Sequence, residues 1–241
     1  MSTFPVAILA GGLATRLRPI TEKIPKAMVE LNGEPFIAHQ LRLLKSRGLD
    51  RVVICAWYRG ELIREYVHDG APFGLRVDYS FDGELPLGTG GAIQRALPLL
   101  GPTFFVLYGD SYLPCDYQAV QAGFTHSGCL GLMTVFRNQG RWDTSNVEYS
   151  AGQIRRYEKK MSTPAMQYID YGLGLFQAQA FAGFPGDSAF DLAAVYQALL
   201  EQKQLAGYEV AERFYEIGSF EGLEELRGLL RDQKSHPGES E

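Results

Sequence analysis

Residues 7–28 read AILAGGLATRLRPITEKIPKAM, an apolar strand that stops at a pair of glycines and continues into a loop with basic side chains and two prolines. Glycine at such a point lets the backbone pass close to a ligand or adopt a positive φ at little cost. The basic side chains Arg16, Arg18 and Lys26 favour an anion as that ligand. A surface turn with solvated charges is the alternative that this stretch alone leaves open.

Apolar runs alternate with amphipathic helical patterns through the first half of the chain. The apolar runs are FPVAILA, RVVICAW, LRVDYSF and TFFVLYGD, and the helical patterns are residues 35–47, GELIREYVHD and GGAIQRALPLL. This alternation predicts βαβ units and an α/β fold, with a Rossmann-like, mostly parallel sheet flanked by helices. Ligands of such sheets bind beyond the carboxyl ends of the strands, where LAGG and LYGD lie.

The second half favours a smaller antiparallel extension. CLGLMTVF, SNVEYSAGQIRRYEKK with an Ala-Gly turn, and MQYIDYGLGLF have the pattern of strands and a hairpin. FDLAAVYQALLEQKQ is helical, AGYEV and RFYEIG are expected to form a final strand pair, and Ser219 is expected to cap a helix that ends at about Arg231. We expect one domain over residues 1–232, with halves of about 1–128 and 129–232, and a disordered tail at 233–241.

The charge and cysteine content exclude several classes of protein. Lys and Arg total 23 against 28 Asp and Glu in 241 residues, so the net charge of −5 predicts no nucleic-acid partner and no membrane partner. The three cysteines, Cys55, Cys115 and Cys129, are too few and scattered for a disulfide framework or a structural zinc site. Because no apolar run reaches the roughly 20 residues that span a bilayer, we expect a cytoplasmic protein.

Two common phosphate motifs are missing from the sequence. It contains no G-x-x-x-x-G-K-[ST], and LGTGGA lacks the G-x-G-x-x-G spacing of dinucleotide folds. The glycine loop after the first strand offers backbone N–H groups instead. Arg16 can grip a phosphate with two hydrogen bonds, and Lys26 supplies a mobile point charge. This combination suits a triphosphate.

The motifs together resemble one family. LAGGLATRLRPIT, PKAM, PLGTGGA, LYGD, YEKK, YIDYG and FYEIGSFEGLEE occur in the order found in sugar-1-phosphate nucleotidylyltransferases, and the resemblance covers nearly the whole chain. The PLGTGGA form and the length are most similar to the heptose-1-phosphate and mannose-1-phosphate guanylyltransferases. The resemblance implies a GT-A-like nucleotidyltransferase fold, with a nucleotide-binding first half and a sugar-binding second half.

The resemblance also implies where the nucleotide and the catalytic groups lie. The backbone of Leu9, Ala10, Gly11 and Gly12 should follow the nucleotide, and Gly88 and Thr89 belong to the segment that contacts the base. Arg16 should contact the β- and γ-phosphates, and Lys26 should bridge the α-phosphate and the sugar phosphate. Asp110 should hold Mg²⁺, an ion that prefers oxygen ligands. A simple turn is the alternative for the Gly109–Asp110 pair.

The sugar phosphate has its own implied set of residues in the second half. In relatives the positions of Glu158 and Lys159 bind a sugar hydroxyl and the sugar phosphate, although RRYEKK alone resembles a solvated strand end. Gly172 could serve backbone geometry only. The full implied sugar-phosphate set is Gly109, Asn146, Glu158, Lys159, Tyr171 and Gly172.

Glu216 departs from the family pattern. Many relatives have aspartate at this position as the second metal ligand, and glutamate is longer by one methylene. We expect Glu216 to join Asp110 in holding Mg²⁺, with structural hydrogen bonding as the alternative role. A non-catalytic sugar-nucleotide sensor, or a regulatory subunit of the same fold, is the competing function, and the change to glutamate is the sequence feature in its favour.

The mechanism implied by the resemblance is in-line attack of a sugar 1-phosphate oxygen on the α-phosphorus of an NTP, with loss of pyrophosphate. GTP is the expected nucleotide, because a carboxylate at Asp82 or Glu84 could accept hydrogen bonds from guanine N1–H and its amino group. The expected products are a GDP-sugar for polysaccharide assembly and pyrophosphate. A monomer or a small symmetric oligomer is expected, with a homodimer favoured.

Overall fold

A computed structural model of the chain describes residues 3–12, 15–159, 161–186 and 188–235. Its helices are α1 (Phe36–Ser46), α2 (Gly60–Val67), α3 (Gly88–Leu100), α4 (Tyr117–Ser127), α5 (Leu192–Glu201) and α6 (Phe220–Ser235). Its strands are β1 (Val6–Leu9), β2 (Glu30–Leu31), β3 (Glu34–Pro35), β4 (Arg51–Ala56), β5 (Arg76–Phe81), β6 (Thr103–Tyr108), β7 (Ser111–Tyr112), β8 (Gly131–Phe136), β9 (Val147–Ser150), β10 (Gln153–Tyr157), β11 (Ile169–Gln177), β12 (Leu205–Val210) and β13 (Tyr215–Glu216).

The central sheet has seven strands in the order β12-β8-β11-β6-β1-β4-β5. Strands β6, β1, β4 and β5 run parallel to one another, and β12 is parallel to β8. Strand β11 lies antiparallel between β6 and β8 and joins the two halves of the sheet. The expected α/β class with a mostly parallel sheet is confirmed.

Strand β1 is apolar on both faces because helices cover both sides of the sheet. Val6 and Ile8 pack in the same cluster as Ile37 of α1, whereas Ala7, one residue out of phase, packs with Ile93 of α3. A parallel strand buried in this way needs side chains without polar groups on either face. The carboxyl end of β1 therefore lies between two helical layers, and the chain leaves the sheet at Gly11.

The hairpin of β9 and β10 forms as the sequence indicated. Its two strands pair antiparallel, and Ala151 and Gly152 between them have φ values of 48° and 76°. Positive φ at both central residues matches the right-handed twist of the strands. The hairpin brings Asn146 and Glu158 together at its open end, where Glu158 N–H donates to the Asn146 carbonyl at 3.0 Å.

The last two strands do not pair with each other, so that expectation is wrong. Strand β12 adds to β8 in the central sheet, and β13 pairs antiparallel with β7. Alternation of apolar residues identifies a strand but carries no information about a partner distant in sequence. Ser219 caps α6, as expected, by accepting a hydrogen bond from Gly222 N–H at 3.1 Å.

The C-terminal helix is longer than predicted. It ends at Ser235 and not at about Arg231, so residues 233–235 of the expected tail are helical. Residues 236–241 lie outside the described part of the chain. None of the described helices combines the length and the apolar character needed to cross a bilayer.

Candidate active site

A cavity of about 380 Å³ opens at the carboxyl ends of β1, β4 and β6, and we call it the glycine-loop cavity. Its position at this edge of a parallel sheet agrees with the expectation from LAGG and LYGD. The predicted residues that line it are Leu9, Ala10, Gly11, Gly12, Lys26, Asp82, Gly88, Thr89, Gly109 and Asp110. The structure thus brings together side chains from four separate sequence segments.

The paired glycines leave room in the cavity wall. Neither Gly11 nor Gly12 has a φ in the left-handed region, so a special backbone conformation does not explain them. A Cβ on Gly12 would meet no described atom within 4 Å, and one on Gly11 would lie 3.4 Å from the Cβ of Trp57. A positive φ therefore explains neither glycine, and close approach of a ligand to the backbone stays the prediction.

Gly109 allows β6 to end against β1. Its N–H donates to the Leu9 carbonyl at 2.9 Å, and a Cβ at this position would lie only 2.6 Å from the same oxygen. Because real side chains do not tolerate that distance, glycine is required for the close approach. The next residue, Asp110, is thereby placed beside the glycine loop.

Lys26 and Asp110 form an ion pair inside the cavity. The Lys26 Nζ lies 2.7 Å from Asp110 Oδ2, and both side chains are largely shielded from solvent. Lys26 begins a short 3-10 turn, Lys26–Met28, preceded by Pro25. The ion pair fixes the ammonium group at the carboxyl end of β6, where the strand edge and the glycine loop meet.

Arg16 approaches the same region from outside the glycine-loop cavity. A Cβ on Gly218 would lie 3.3 Å from Arg16 Nη2 and 3.8 Å from Lys26 Nζ, so both cations face this glycine. Gly218 is a site residue that sequence reasoning missed, although its place between Glu216 and the Ser219 cap was a usable signal. Its lack of a side chain keeps the space beside two positive charges open.

Glu216 lies next to Asp110 through strand pairing. In the β7–β13 ladder Glu216 is opposite Ser111, and Ile217 N–H donates to the Asp110 carbonyl at 2.9 Å. Although the residue keeps exposed surface, enclosure of its carboxylate raises the pKa of Glu216 to about 7, and the negative charges of Asp110 and Asp143 add to this effect. Ionising Glu216 is costly because its negative charge would be repelled by that of Asp110. A divalent cation bound at this point would offset the repulsion.

The side chains near Asp110 suit Mg²⁺ better than they suit a metal ion that requires three or more protein ligands. Among the described residues, no three His, Cys, Asp or Glu side chains gather closely enough to enclose an ion. Two carboxylates with the remaining positions filled by water and substrate oxygens are the arrangement that Mg²⁺ accepts, because it dehydrates reluctantly. Asp110 and Glu216 therefore fit this ion.

Asp82 lies in the cavity wall, and Glu84 is exposed outside it. The Asp82 Oδ2 accepts a hydrogen bond from Leu87 N–H at 2.9 Å, and its carbonyl accepts one from Arg95 Nη1 at 2.8 Å. Burial raises the pKa of the Asp82 carboxyl group, against the effect of the Leu87 hydrogen bond. Of the two carboxylates considered for base recognition, Asp82 is the one that lines the cavity.

Gly88 and Thr89, the first two residues of α3, contact the start of α5 and the residues just before it at the cavity rim. Gly88 has φ +68°, and a Cβ there would lie 2.6 Å from the Phe190 carbonyl oxygen. The Thr89 Oγ1 accepts a hydrogen bond from Leu192 N–H at 2.8 Å. These contacts hold the start of α3 against the start of α5.

A second cavity, of about 400 Å³, contains Lys159, and we call it the lysine cavity. Asn146 and Glu158 also line it, and Asn146 Oδ1 accepts a hydrogen bond from Asp170 N–H at 2.9 Å. The Lys159 Nζ lies 2.9 Å from Asp191 Oδ1 at the N-cap of α5. Three of the predicted sugar-phosphate residues thus share one cavity.

Tyr171 is a correction to the predicted set. Its side chain is 2% exposed and packs in the core with the rings of Phe136 and Phe214, so the expectation that it lines a sugar pocket is wrong for the side chain. Gly172 has φ +92°, and its N–H donates to Asp170 Oδ1 at 3.0 Å. The pairing of β11 with β8 shifts between Asp170 and Gly174, which turns Tyr171 inward.

Four further residues of this region were not predicted from the sequence. Trp57 and Tyr108 line the glycine-loop cavity, and each directly follows or ends an apolar strand. Asp191 Oδ1 accepts a hydrogen bond from the Lys159 ammonium group. Burial raises the pKa of the Asp170 carboxyl group. The signal for the first two was their place at a strand end, and the signal for Asp170 was its place within the YIDYG motif.

The chain is similar to known proteins over nearly its whole length. The family model described as Nucleotidyl transferase matches residues 6–233. The chain is 30% identical over 211 residues to D-glycero-alpha-D-manno-heptose 1-phosphate guanylyltransferase of Campylobacter jejuni, covering 88% of this chain and 93% of that protein. It is 28% identical to N-acetylmuramate alpha-1-phosphate uridylyltransferase of Neisseria meningitidis, covering 92% and 96%.

A solved structure supports the fold. The inositol-1-phosphate CTP transferase from T. maritima superposes with a TM-score of 0.81 at 18% identity, covering 98% of each chain. The chain belongs to the nucleotidyl transferase family. Its relatives are sugar-1-phosphate nucleotidyltransferases, which include heptose-1-phosphate and mannose-1-phosphate guanylyltransferases.

Proposed function

We propose that the protein transfers the nucleotidyl group of GTP to a sugar 1-phosphate, either D-glycero-D-manno-heptose 1-phosphate or mannose 1-phosphate. The observation that carries this proposal is the Lys26–Asp110 ion pair at 2.7 Å, which lies between the glycine loop and Glu216. A cation and two carboxylates at that point suit the meeting of two phosphorylated substrates. Similarity to guanylyltransferases supports the choice of GTP.

In the proposed reaction, an oxygen of the sugar 1-phosphate attacks the α-phosphorus of GTP in line. A new P–O bond forms to the α-phosphorus, and the bond between that atom and the bridging oxygen to the β-phosphorus breaks. Pyrophosphate leaves with the bonding electron pair. A phosphate monoester dianion is already a competent nucleophile, so the protein needs no general base and forms no covalent intermediate.

The chain's own residues align the substrates and neutralise charge. Gly11 and Gly12 line the glycine-loop cavity, where their backbone N–H groups would bind phosphate oxygens. Arg16 would supply a fork of donors for the β- and γ-phosphates. Lys26 lies where the α-phosphate and the sugar phosphate would converge. Lys159 would exchange its contact with Asp191 for the sugar phosphate. Positioning and electrostatic stabilisation then supply most of the rate enhancement.

Asp110 and Glu216 would hold Mg²⁺ in this site. When bound, the ion neutralises charge on the transferring phosphate group and orients its oxygens. The support for this pair is the pairing of β13 with β7, which places Glu216 opposite Ser111, the chain neighbour of Asp110. The negative charge of Asp110 contributes to the raised pKa of Glu216, and a bound cation would lower that pKa.

Pyrophosphate release tests the proposal directly. The purified protein is incubated with Mg²⁺, each of the common NTPs and a panel of sugar 1-phosphates, and pyrophosphate is measured. Turnover with GTP and a mannose-type sugar 1-phosphate is the expected result. If no pair of substrates is turned over, the non-catalytic sensor becomes the better explanation. Sedimentation of the same preparation tests the expected homodimer.

If the Asp82 carboxylate recognises guanine, its replacement should change the preference among NTPs. Asp82→Ala should reduce discrimination between GTP and other NTPs more than it reduces kcat, because two buried guanine donors left unpaired cost about 1 to 3 kcal/mol each. Asp82→Asn is the sharper variant, since its amide oxygen can still accept from Leu87 N–H while its NH₂ group repels the guanine donors. The kcat/KM ratios for the NTPs are measured, with exposed Glu84→Ala as the matched control. Equal use of UTP by the wild-type protein would contradict a guanine-reading Asp82.

Two variants of Glu216, Glu216→Gln and Glu216→Asp, distinguish metal binding from a purely structural role, because the two roles predict opposite results. If its carboxylate binds Mg²⁺, Glu216→Gln should raise the Mg²⁺ concentration for half-maximal activity and lower kcat, whereas Glu216→Asp should keep substantial activity. A purely structural role predicts a tolerated Gln and a damaging Asp. Both variants are assayed over a Mg²⁺ titration. An active Gln variant beside an inactive Asp variant would remove Glu216 from the metal site.

A further inference from the structure

A third cavity, of about 480 Å³, lies against the lysine cavity, and we call it the tryptophan cavity. The two cavities share Asp143, Thr144, Ser145 and Ser162 in their walls. The tryptophan cavity then continues away from Glu158 and Lys159 to Trp142. A ligand held by its phosphate at Lys159 therefore has adjoining space on the side of Trp142.

The loop whose residues line both cavities is fixed by one buried side chain. Asn138 is fully buried, and its Nδ2 donates to the Asp143 carbonyl at 2.6 Å and to Ser145 Oγ at 3.1 Å. Its Oδ1 accepts a hydrogen bond from Trp142 N–H at 3.2 Å. From the opposite segment, Ser162 Oγ donates to the Ser145 carbonyl at 2.9 Å. Because the loop is already ordered by these hydrogen bonds, a ligand that binds to its side chains loses little free energy to ordering the loop.

Trp142 is held in place and still exposed. The Arg213 guanidinium lies 3.4 Å from the centre of the indole ring and 4.8 Å from that of Tyr215, and it also pairs with Glu225 at 2.6 Å. Trp142 as a whole residue nevertheless remains 46% exposed. The exposed part of this immobilised ring offers a rigid apolar surface to a ligand.

We propose that the tryptophan cavity is an extension of the sugar site and that Trp142 selects sugar 1-phosphates with a hydroxylated carbon chain beyond the hexose skeleton. This inference rests on the proposed function. The C–H groups of such a chain would pack on the exposed part of the indole. Its hydroxyl groups would find the polar wall formed by Thr144, Ser145 and Ser162. A hexose would fill the lysine cavity and leave Trp142 uncovered.

A matched pair of substrates tests the inference. D-glycero-D-manno-heptose 1-phosphate and mannose 1-phosphate differ by one hydroxylated carbon, so the ratio of their kcat/KM values isolates the extension. The wild-type protein should favour the heptose by about tenfold or more, the scale for one added group in a fitted pocket. Trp142→Ala should remove that preference, mainly by raising KM for the heptose, and leave the values for mannose 1-phosphate nearly unchanged.

Met161→Ala is the matched control, because Met161 is another large exposed side chain, 60% accessible, close in sequence to Ser162. It should keep the wild-type preference. If Trp142→Ala lowers kcat/KM for both sugars equally, the indole only anchors the loop, and the inference is wrong while the proposed function stands. Equal use of the two sugars by the wild-type protein would also overturn the inference and leave the proposed function in place. If no sugar 1-phosphate is turned over, the proposed function and the inference both fall.

Discussion

Replacing Lys26 with alanine should lower kcat by about a hundredfold or more, the scale for losing one preorganised electrostatic group. The side chain is largely shielded from solvent and lies 2.7 Å from Asp110, so its charge acts where screening by water is reduced. The Lys26 ammonium group should attract the phosphates most strongly when the two phosphates converge in the transition state. Loss of the ammonium group should therefore lower kcat more than it raises KM. Steady-state kinetics over both substrates measure the effect.

Lys23→Ala is the matched control for this experiment. Lys23 is in the same segment, is exposed and carries the same charge. Its removal changes the net charge as Lys26→Ala does, but it should leave kcat within about twofold because exposed charges are strongly screened. A Lys26→Ala variant with nearly normal kcat would remove Lys26 from the proposed mechanism.

Asp110→Asn should raise the Mg²⁺ concentration for half-maximal activity by at least about tenfold, since loss of a direct carboxylate ligand should exceed the lower end of outer-shell effects. The fold should remain intact. Asparagine has the shape of aspartate, and its amide oxygen can still accept a hydrogen bond from Lys26 Nζ, so the melting temperature should change by less than about 4 °C. Activity over a Mg²⁺ titration and a thermal melt together measure the two effects.

Asp50→Asn controls for the loss of a lysine–aspartate pair as such. Asp50 lies 2.7 Å from Lys45 on the surface, the same separation as in the Lys26–Asp110 pair. This variant should leave the Mg²⁺ titration unchanged. An unchanged titration for Asp110→Asn as well would show that the ion binds elsewhere.

The sequence predicted the position of the glycine-loop cavity because the carboxyl ends of parallel strands meet at one edge of a sheet, whatever the order of the strands. Apolar strands that end in LAGG and LYGD must place Gly11 and Asp110 at one edge of a parallel sheet, and the pairing of β1 with β6 does so. Lys26 follows soon after the glycines and stays close to them.

Features that depend on long-range contacts were not accessible from the sequence. The partner of β13 is β7, more than a hundred residues earlier, and nothing in RFYEIG encodes that choice. The inward side chain of Tyr171 follows from a register shift that alternation does not reveal. The stacking of Arg213 on Trp142 likewise joins two segments that have no common motif.

The position of β11 has a consequence for the order in which the chain can fold during synthesis. Strands β1, β4, β5 and β6 are neighbours in the sheet and are all complete by Tyr108, so they can pair as soon as that part of the chain leaves the ribosome. Strand β6 keeps one unpaired edge until Ile169–Gln177 has been translated. The apolar TFFVLY edge is thus unprotected for the whole time in which the intervening segments are made, a state in which newly made chains can associate wrongly.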